Sequence, residues 1–480
     1  MAPLRQNGVF QASEVSYLSV PYKPKHKVGV IGAGLAGLTF AHHVRLNYPD
    51  VEVSIFEGRD RLGGRVNTLR REHLNAPILE GGAEFINEDH SEIRNLCQHL
   101  EINLIPTYSG DDAAPSFAAI DGRIVREDFR GLIRDLREAI LQDRAKLHDD
   151  IQRIAFASMS AADYISNLGL SGTDSELLNL FVHTEQAVKP GKMSALFLLE
   201  WMDFETFPEG HNTLFAAGDD KYRIEGGSSA LVNALAKPLH NQIEVGEPVS
   251  GIFETTGGYR VYTNKIAPKS FDSVVVAFPA TKAKEINFGG ADLIDFQRRM
   301  NKFRYSEVAK TIISVNGELP SLLQEYHQIL DLNLKGLMWG TGQSPIPTPG
   351  RSWIAVYRGG ENIGYTKGHR NSQDMIKEAI RNISTASSLQ NPTRLPDPSV
   401  ADIETIHYVE GGFNMPTIGR GADFARKTLS NYGRLFPAGE HLALKDPETM
   451  AGAVESGLNT YRHWVNLVFP SNRLLKILGE

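Results

Sequence analysis

The stretch Lys27-Val28-Gly29-Val30-Ile31-Gly32-Ala33-Gly34-Leu35-Ala36-Gly37 decides the fold. An apolar strand runs into a glycine turn, and a helical pattern over 35–46 comes next. A second apolar strand over 51–56 then ends at Glu57. This is a strand–helix–strand unit, the beginning of a parallel sheet. Gly32 allows the tight turn, and Gly34 lets backbone amides approach a pyrophosphate. Gly37, one residue after Ala36, lets the helix pack on the strand. The helix N-terminus offers unpaired N–H groups and a positive dipole end to the phosphates. Glu57 stands where a carboxylate accepts the two hydroxyls of a ribose.

The run from Glu57 to Arg65 separates NAD from FAD. Glu57-Gly58-Arg59-Asp60-Arg61-Leu62-Gly63-Gly64-Arg65 is not expected after an NAD motif. Its paired glycines permit close approach to a phosphate, and Arg65 supplies a fixed cation. The plain alternative for Arg59, Arg61 and Arg65 is a solvated basic loop. For Arg61 alone that alternative is the preferred reading.

The chain has 480 residues, 41% hydrophobic and 22% charged, with a net charge of -7. It is long enough for several folding units and an ample core. The negative balance argues against nucleic acid or an anionic membrane as a general partner. A single cysteine, Cys97, makes no internal disulfide and no cysteine zinc cage. It reads as a small apolar residue on a helix. Residues 1–25 form an irregular arm without the apolar segment of a secretory signal. No run of 18 or more apolar residues marks a membrane span. These absent signals lead to the expectation of a cytoplasmic protein. No zinc-binding HxxEH-type pattern and no GxSxG elbow occurs, so metal and hydrolase readings have no support.

Residues 127–202 read as helices, with Leu132, Leu136, Ile140 and Leu141 at helical spacing. Residues 222–239 read as a turn and a helix, and 243–278 as short strands. Phe271-Asp272-Ser273-Val274-Val275-Val276-Ala277-Phe278-Pro279 is a fully buried strand by composition. Residues 310–315 and 352–357 read as further strands. Residues 344–349 and 391–398 read as loops. The stretch 461–478 is amphipathic and is expected to be a packed terminal helix.

Several motifs occur in order. They are the glycine turn, the run ending in Gly63-Gly64-Arg65, and Glu80-Gly81-Gly82-Ala83-Glu84-Phe85. Then come Tyr222-Arg223-Ile224-Glu225-Gly226-Gly227, Val249 before Ile252, and Ala438-Gly439-Glu440-His441. Gly452-Ala453-Val454-Glu455-Ser456-Gly457 completes the set. In these the chain resembles the flavin-containing amine oxidase family, which includes monoamine, polyamine and L-amino acid oxidases. The resemblance implies FAD in a Rossmann-like α/β domain of the GR2 type, joined to a discontinuous α+β substrate domain. Under it Glu57 holds the adenosine ribose, and Arg59, Gly64 and Arg65 lie along the cofactor. Gly82 and Ala83 pass beside the flavin, and Val249 meets the adenine through its backbone. Glu440 lies near the pyrophosphate or ribityl chain, and Thr449 and Met450 near the isoalloxazine. A helix opening near Met450 aims its positive end at the flavin edge that gains negative charge on reduction. His441, beside Glu440, is expected to hydrogen-bond near the cofactor.

Lys310, at the head of an apolar strand, matches the family lysine that holds a water beside flavin N5. The plain alternative is an edge-strand lysine reaching solvent.

The sequence also departs from the family. Thr449 stands where monoamine oxidases carry one of two substrate-flanking rings, and the other ring position falls at Phe413 or Asn414. No cysteine lies near Gly412 to bind flavin covalently, so non-covalent, dissociable FAD is expected. Asn87 stands where polyamine oxidases carry a polar His or Glu. No arginine after the Gly63-Gly64-Arg65 run clearly matches the carboxylate-binding one of L-amino acid oxidases. Glu84 either pairs with or deprotonates a substrate ammonium, or is a structural carboxylate. Arg358 is a candidate anchor for a substrate carboxylate or carbonyl, against the plainer reading of a surface arginine at a strand end.

The expected FAD domain gathers 26–100, 219–285 and 403–468, and the substrate domain 101–218 and 286–402, with a tail over 469–480. The expected reaction takes a hydride from a small amine to flavin N5, with O2 as final acceptor and hydrogen peroxide as product. Alternatives are a dedicated biosynthetic oxidase of an elaborate amine or amide, a C–C desaturase or isomerase, and a non-enzymatic binding protein of the same fold. The sequence leaves the oligomeric state open.

Overall fold

The computed structural model describes residues 26–69, 78–107, 116–120, 123–126, 132, 136–201, 220–316, 328–332, 335–341, 351–362, 402–408, 412–413 and 432–470. The arm over 1–25, Asn414, the two proline-containing loops and the chain beyond 470 lie outside the described residues.

Lys27–Ile31 is the central strand of a five-stranded parallel sheet. Its neighbours are Glu52–Glu57 on one side and Ser273–Val276 on the other. Ile243–Val245 and Leu435–Pro437 form the edges. Val28, Val30, Ile55 and Val275 have no exposed surface because both faces of the sheet are covered. On one face lie the helices Leu35–Asn47 and Met450–Val468, sharing a core with Val28 and Val30. Trp464 anchors the second of these helices. Its ring meets Phe40 edge-on at 5.7 Å, and its indole N–H donates to Ser273 Oγ at 2.9 Å. On the other face lies a four-stranded sheet that contributes Ile252, Val261 and Phe271 to a core with Ile31 and Val276.

The second unit is a seven-stranded sheet. Its order is Asp402–Tyr408, Val308–Asn316, Arg351–Gly359, Gly336–Thr341, Gln328–Asp331, Ser116–Ile120, Arg123–Arg126. Helices between Arg137 and Trp201 cover it, with Leu177 and Phe181 packed in one cluster with Trp339 and Ala355. Over 137–201 the helical reading thus describes one layer of this unit, while 127–131, 133–135 and 202 lie outside the described residues.

Two expected borders shift. Asp402–Tyr408 pairs antiparallel with Val308–Asn316, so it completes the substrate sheet and does not open the last FAD segment at 403. Asn287–Gly289 pairs with Val249–Thr255, and Phe296 and Met300 of the next helix share its core, so the nucleotide unit runs past 285. Strand pairing decides both borders, and partner strands cannot be read from local composition. Among the described residues no helix is long and apolar enough to cross a membrane.

Candidate active site

A cavity of about 850 Å³ runs between the two units. At one end it meets the first glycine turn. Gly32 has φ 109°, and a Cβ there would lie 2.7 Å from the Ala277 carbonyl oxygen. A Cβ on Gly37 would lie 2.2 Å from the Gly32 carbonyl oxygen. Around Gly34, by contrast, a side chain would meet nothing, so space opens before the helix N-terminus. No side chain caps that terminus and its first turn carries no acid. Its amides therefore suit an anionic group. Glu57 is buried at the end of the second strand. Its oxygens accept the backbone N–H of Ala33 and of Arg59, each at 2.9 Å. Ala36 lines this end, as does Val249.

The arginines of the glycine run divide in role. Arg61 donates to the carbonyls of Leu62, Gly64 and Val66 at 3.1, 2.8 and 3.1 Å. It braces the loop instead of lying solvated. Arg59 donates to Gly64 O at 3.0 Å. Arg65 crosses to the far segment, donating to Glu440 Oε1 at 2.7 Å and to Gly412 O at 2.9 Å.

Beside Glu440, burial lowers His441 to a pKa of about 4, so its ring is neutral. Tyr305 Oη accepts the Ala280 N–H at 3.3 Å and lies 2.9 Å from His441 Nδ1. The hydroxyl carries one proton and is hydrogen-bonded to the Glu440 carboxylate as well as to Nδ1. Nε2 is buried without a partner among the described residues, a polar atom left for a group that enters the cavity. The uncapped helix, the open space at Gly34 and this unused ring nitrogen together fit a dinucleotide along the cavity.

At the other end stands Lys310, with 5% of its surface exposed. The solvent-reaching alternative therefore does not hold. Its ammonium is ion-paired with Glu84 and lies 3.4 Å from Gly82 O and 5.1 Å from the Trp339 ring centre. Glu84 also pairs with Arg223 at 2.9 Å and accepts the Trp339 indole N–H at 3.1 Å. Burial alone would raise the Glu84 carboxyl, but the charges of Lys310 and Arg223 outweigh it and hold it at about 2. Both of its oxygens are occupied.

Phe413 and Met450 line the cavity. Thr449 lines it too, but its hydroxyl is spent as the helix cap, accepting from Gly452 N at 2.9 Å and donating to Asp446 O at 2.7 Å. Asn87 is tied to the backbone N–H of Asp220 at 3.2 Å. Arg358 is not in the cavity wall. Strand alternation places Tyr357 on the cavity side, while Arg358 is buried at 3% exposure, which also corrects its reading as a surface residue. Sequence reasoning assigned no role to Arg223, Trp339, Gln186 or Glu448, all of which line the cavity or bind its lining residues.

This is a dinucleotide fold whose groove opens onto a chamber lined by buried charged side chains. The chain belongs to the flavin containing amine oxidoreductase family, whose description matches residues 35–460. It is thus an FAD-dependent oxidoreductase acting on amines. It is 25% identical to a nicotine dehydrogenase of Pseudomonas putida over 312 residues, which span 61% of each chain. It is 22% identical to polyamine oxidase 4 of Oryza sativa subsp. japonica, covering 89% of this chain and 86% of that one. Among solved structures, cyclohexylamine oxidase from Brevibacterium oxydans aligns with a TM-score of 0.73 at 17% identity, over 93% of this chain and all of the other. That likeness bears on the fold alone.

Proposed function

We propose that this chain oxidises the C–N bond of a small amine to an imine, using dissociable FAD and molecular oxygen. The observation that carries the reading is one continuous cavity, from Gly34 and Glu57 at one end to Lys310 and Trp339 at the other. When bound, FAD supplies the hydride acceptor and passes the electrons to oxygen, giving hydrogen peroxide. The protein orients the substrate and excludes water. Lys310 holds a fixed positive charge in a buried setting, with Glu84 as its counter-ion rather than as a base. That charge favours electron transfer to oxygen nearby. Cys97 supports a non-covalent cofactor: it lies in the core of the nucleotide unit, and burial pushes its thiol up to about 12.

An anaerobic titration with amines, polyamines and L-amino acids tests the reading, with flavin absorbance as the signal. Bleaching by an amine is the expected outcome, and flavin left oxidised by every member counts against it. Lys310→Met is expected to slow reoxidation by oxygen at least about 100-fold, on the scale of one electrostatic stabiliser. Unchanged oxygen reactivity would remove Lys310 from the mechanism.

A further inference from the structure

Among the carboxyl groups that line the cavity is one, Glu448, that the Lys310 cluster does not use. Glu448 directly precedes the helix cap Thr449 and has φ 73°. Glycine adopts that conformation freely and glutamate does not, and such strain persists where the surroundings fix it. Here the Glu448 amide is held by Glu440 Oε2 at 3.3 Å.

A short relay sets the chemistry of the carboxyl group. The Trp201 indole is a donor only, so the Gln186 carbonyl must face it, at 3.1 Å. The Gln186 amide N–H then donates to Glu448 Oε2 at 3.0 Å. Oε2 is thereby an acceptor. Oε1 has no partner among the described residues and is the atom left to carry or receive a proton. Burial, then the charge of Glu440, pushes the Glu448 carboxyl well above the usual range, and the bond from Gln186 opposes this in part. Glu185 and Tyr357 line the same cavity, and the Tyr357 hydroxyl is itself raised by burial and then by Glu185 and Glu448. Arg65 is engaged by Glu440.

We propose that Glu448 receives the ammonium group of the substrate and holds the proton that nitrogen must lose before the neighbouring carbon gives up a hydride. The proposal rests on the amine-oxidation reading above. Alkylamines arrive protonated, with a pKa of about 10. As the cation enters, the Glu448 proton leaves to solvent and an ion pair forms. The N–H bond then breaks and its proton moves to Oε1. The freed lone pair becomes the second C–N bond as the hydride departs with the C–H electron pair to the flavin. Glu84 is excluded from this step because both of its oxygens are taken. Gln186 acts as a positioning residue, through Oε2.

The test uses flavin-loaded wild type and Glu448→Gln. Calorimetric titration with tert-butylamine and 2-phenylpropan-2-amine, in buffers of different ionisation enthalpy near neutral pH, counts protons. Neither probe has a hydrogen on the carbon bearing nitrogen, so each binds without reacting. Wild type is expected to release about one proton per amine, and Glu448→Gln, which lacks the counter-ion, to bind each probe at least about 10-fold more weakly. In anaerobic flavin reduction, wild type should speed up with rising pH as Glu448 ionises. Glu448→Gln should lose that limb and be about 100-fold slower near neutrality. The deficit should shrink as pH approaches the pKa of the amine itself. Gln186→Leu should keep the limb and move it to higher pH.

No binding of either probe, no proton release by wild type, or a Glu448→Gln profile that overlays wild type overturns the proposal, even if amines reduce the flavin. Should Glu448→Gln not fold, an unmoved limb in Gln186→Leu overturns it instead. Proton release without flavin reduction by any amine supports the Glu448 site and counts against the oxidase reading.

Discussion

The two ends of the cavity are built by different means. The nucleotide end is made of backbone: a run of residues from Gly32 to Gly37 shapes a turn and leaves amides unpaired. The reaction end is made of side chains brought together by topology. Lys310 reaches Glu84 across 226 positions, and Trp339 reaches it across 255. A backbone site tolerates no added atoms, while a side-chain site tolerates no lost charges. Each end should therefore fail in its own way.

The largest effect is expected at the reaction end. Glu84→Gln leaves Lys310 and Arg223 buried without their shared anion, which costs about 3–5 kcal/mol. Denaturant unfolding near neutral pH measures it, and a loss below about 1 kcal/mol would mean that water reaches the pair. Acid should show the same coupling in wild type. The folded carboxyl is depressed to about 2, so its contribution is complete above the unfolded value of about 4.3 and disappears as pH falls through about 2. Glu84→Gln should flatten that acid limb.

Next comes Gly37→Ala at the nucleotide end. The added Cβ would meet a backbone oxygen that cannot swing aside, which costs about 1–3 kcal/mol. Flavin content per chain should fall with it, and full flavin occupancy would show that the turn gives way more easily than its geometry suggests.

The smallest effect sharpens the contrast within one segment. Glu80 lies close to Glu84 in sequence but shifts the other way, to about 7, chiefly by burial. It accepts from Ser228 N at 2.6 Å and from the Thr68 hydroxyl at 3.0 and 3.2 Å. Its folded value lies above the unfolded one of about 4.3, so the folded chain binds more protons and loses stability as pH rises from about 4.3 to about 7. Glu80→Gln should remove that slope, and a slope equal to that of wild type would assign the titration elsewhere.

This division also explains what could be read from the sequence. The central strand, the glycine turn and the helix behind it are neighbours in the chain, and their spacing carries the physics. The ring-position departure at Thr449 was also legible, and its hydroxyl proves to be committed to capping. The role of Arg223 was not: it depends on the antiparallel pairing of Tyr222–Ile224 with Leu104–Pro106 and on the approach of Glu84. Glu448 gave no local sign either, because its left-handed backbone and its link to Gln186 exist only after the two units meet. The border at 403 failed for the same reason, since strand partners are chosen across the whole chain.

The order of strands in the parallel sheet also sets a timetable for biosynthesis. The central strand, Lys27–Ile31, is made long before the edge strand Leu435–Pro437 and the helix Met450–Val468 that complete its layers. Contacts this distant in sequence form slowly, because loop closure precedes any gain from packing. A nascent chain therefore keeps its nucleotide layer open and apolar until the helix Met450–Val468 has left the ribosome. A finished nucleotide layer is available to flavin only after that point, and until then the chain exposes the kind of apolar surface that chaperones bind.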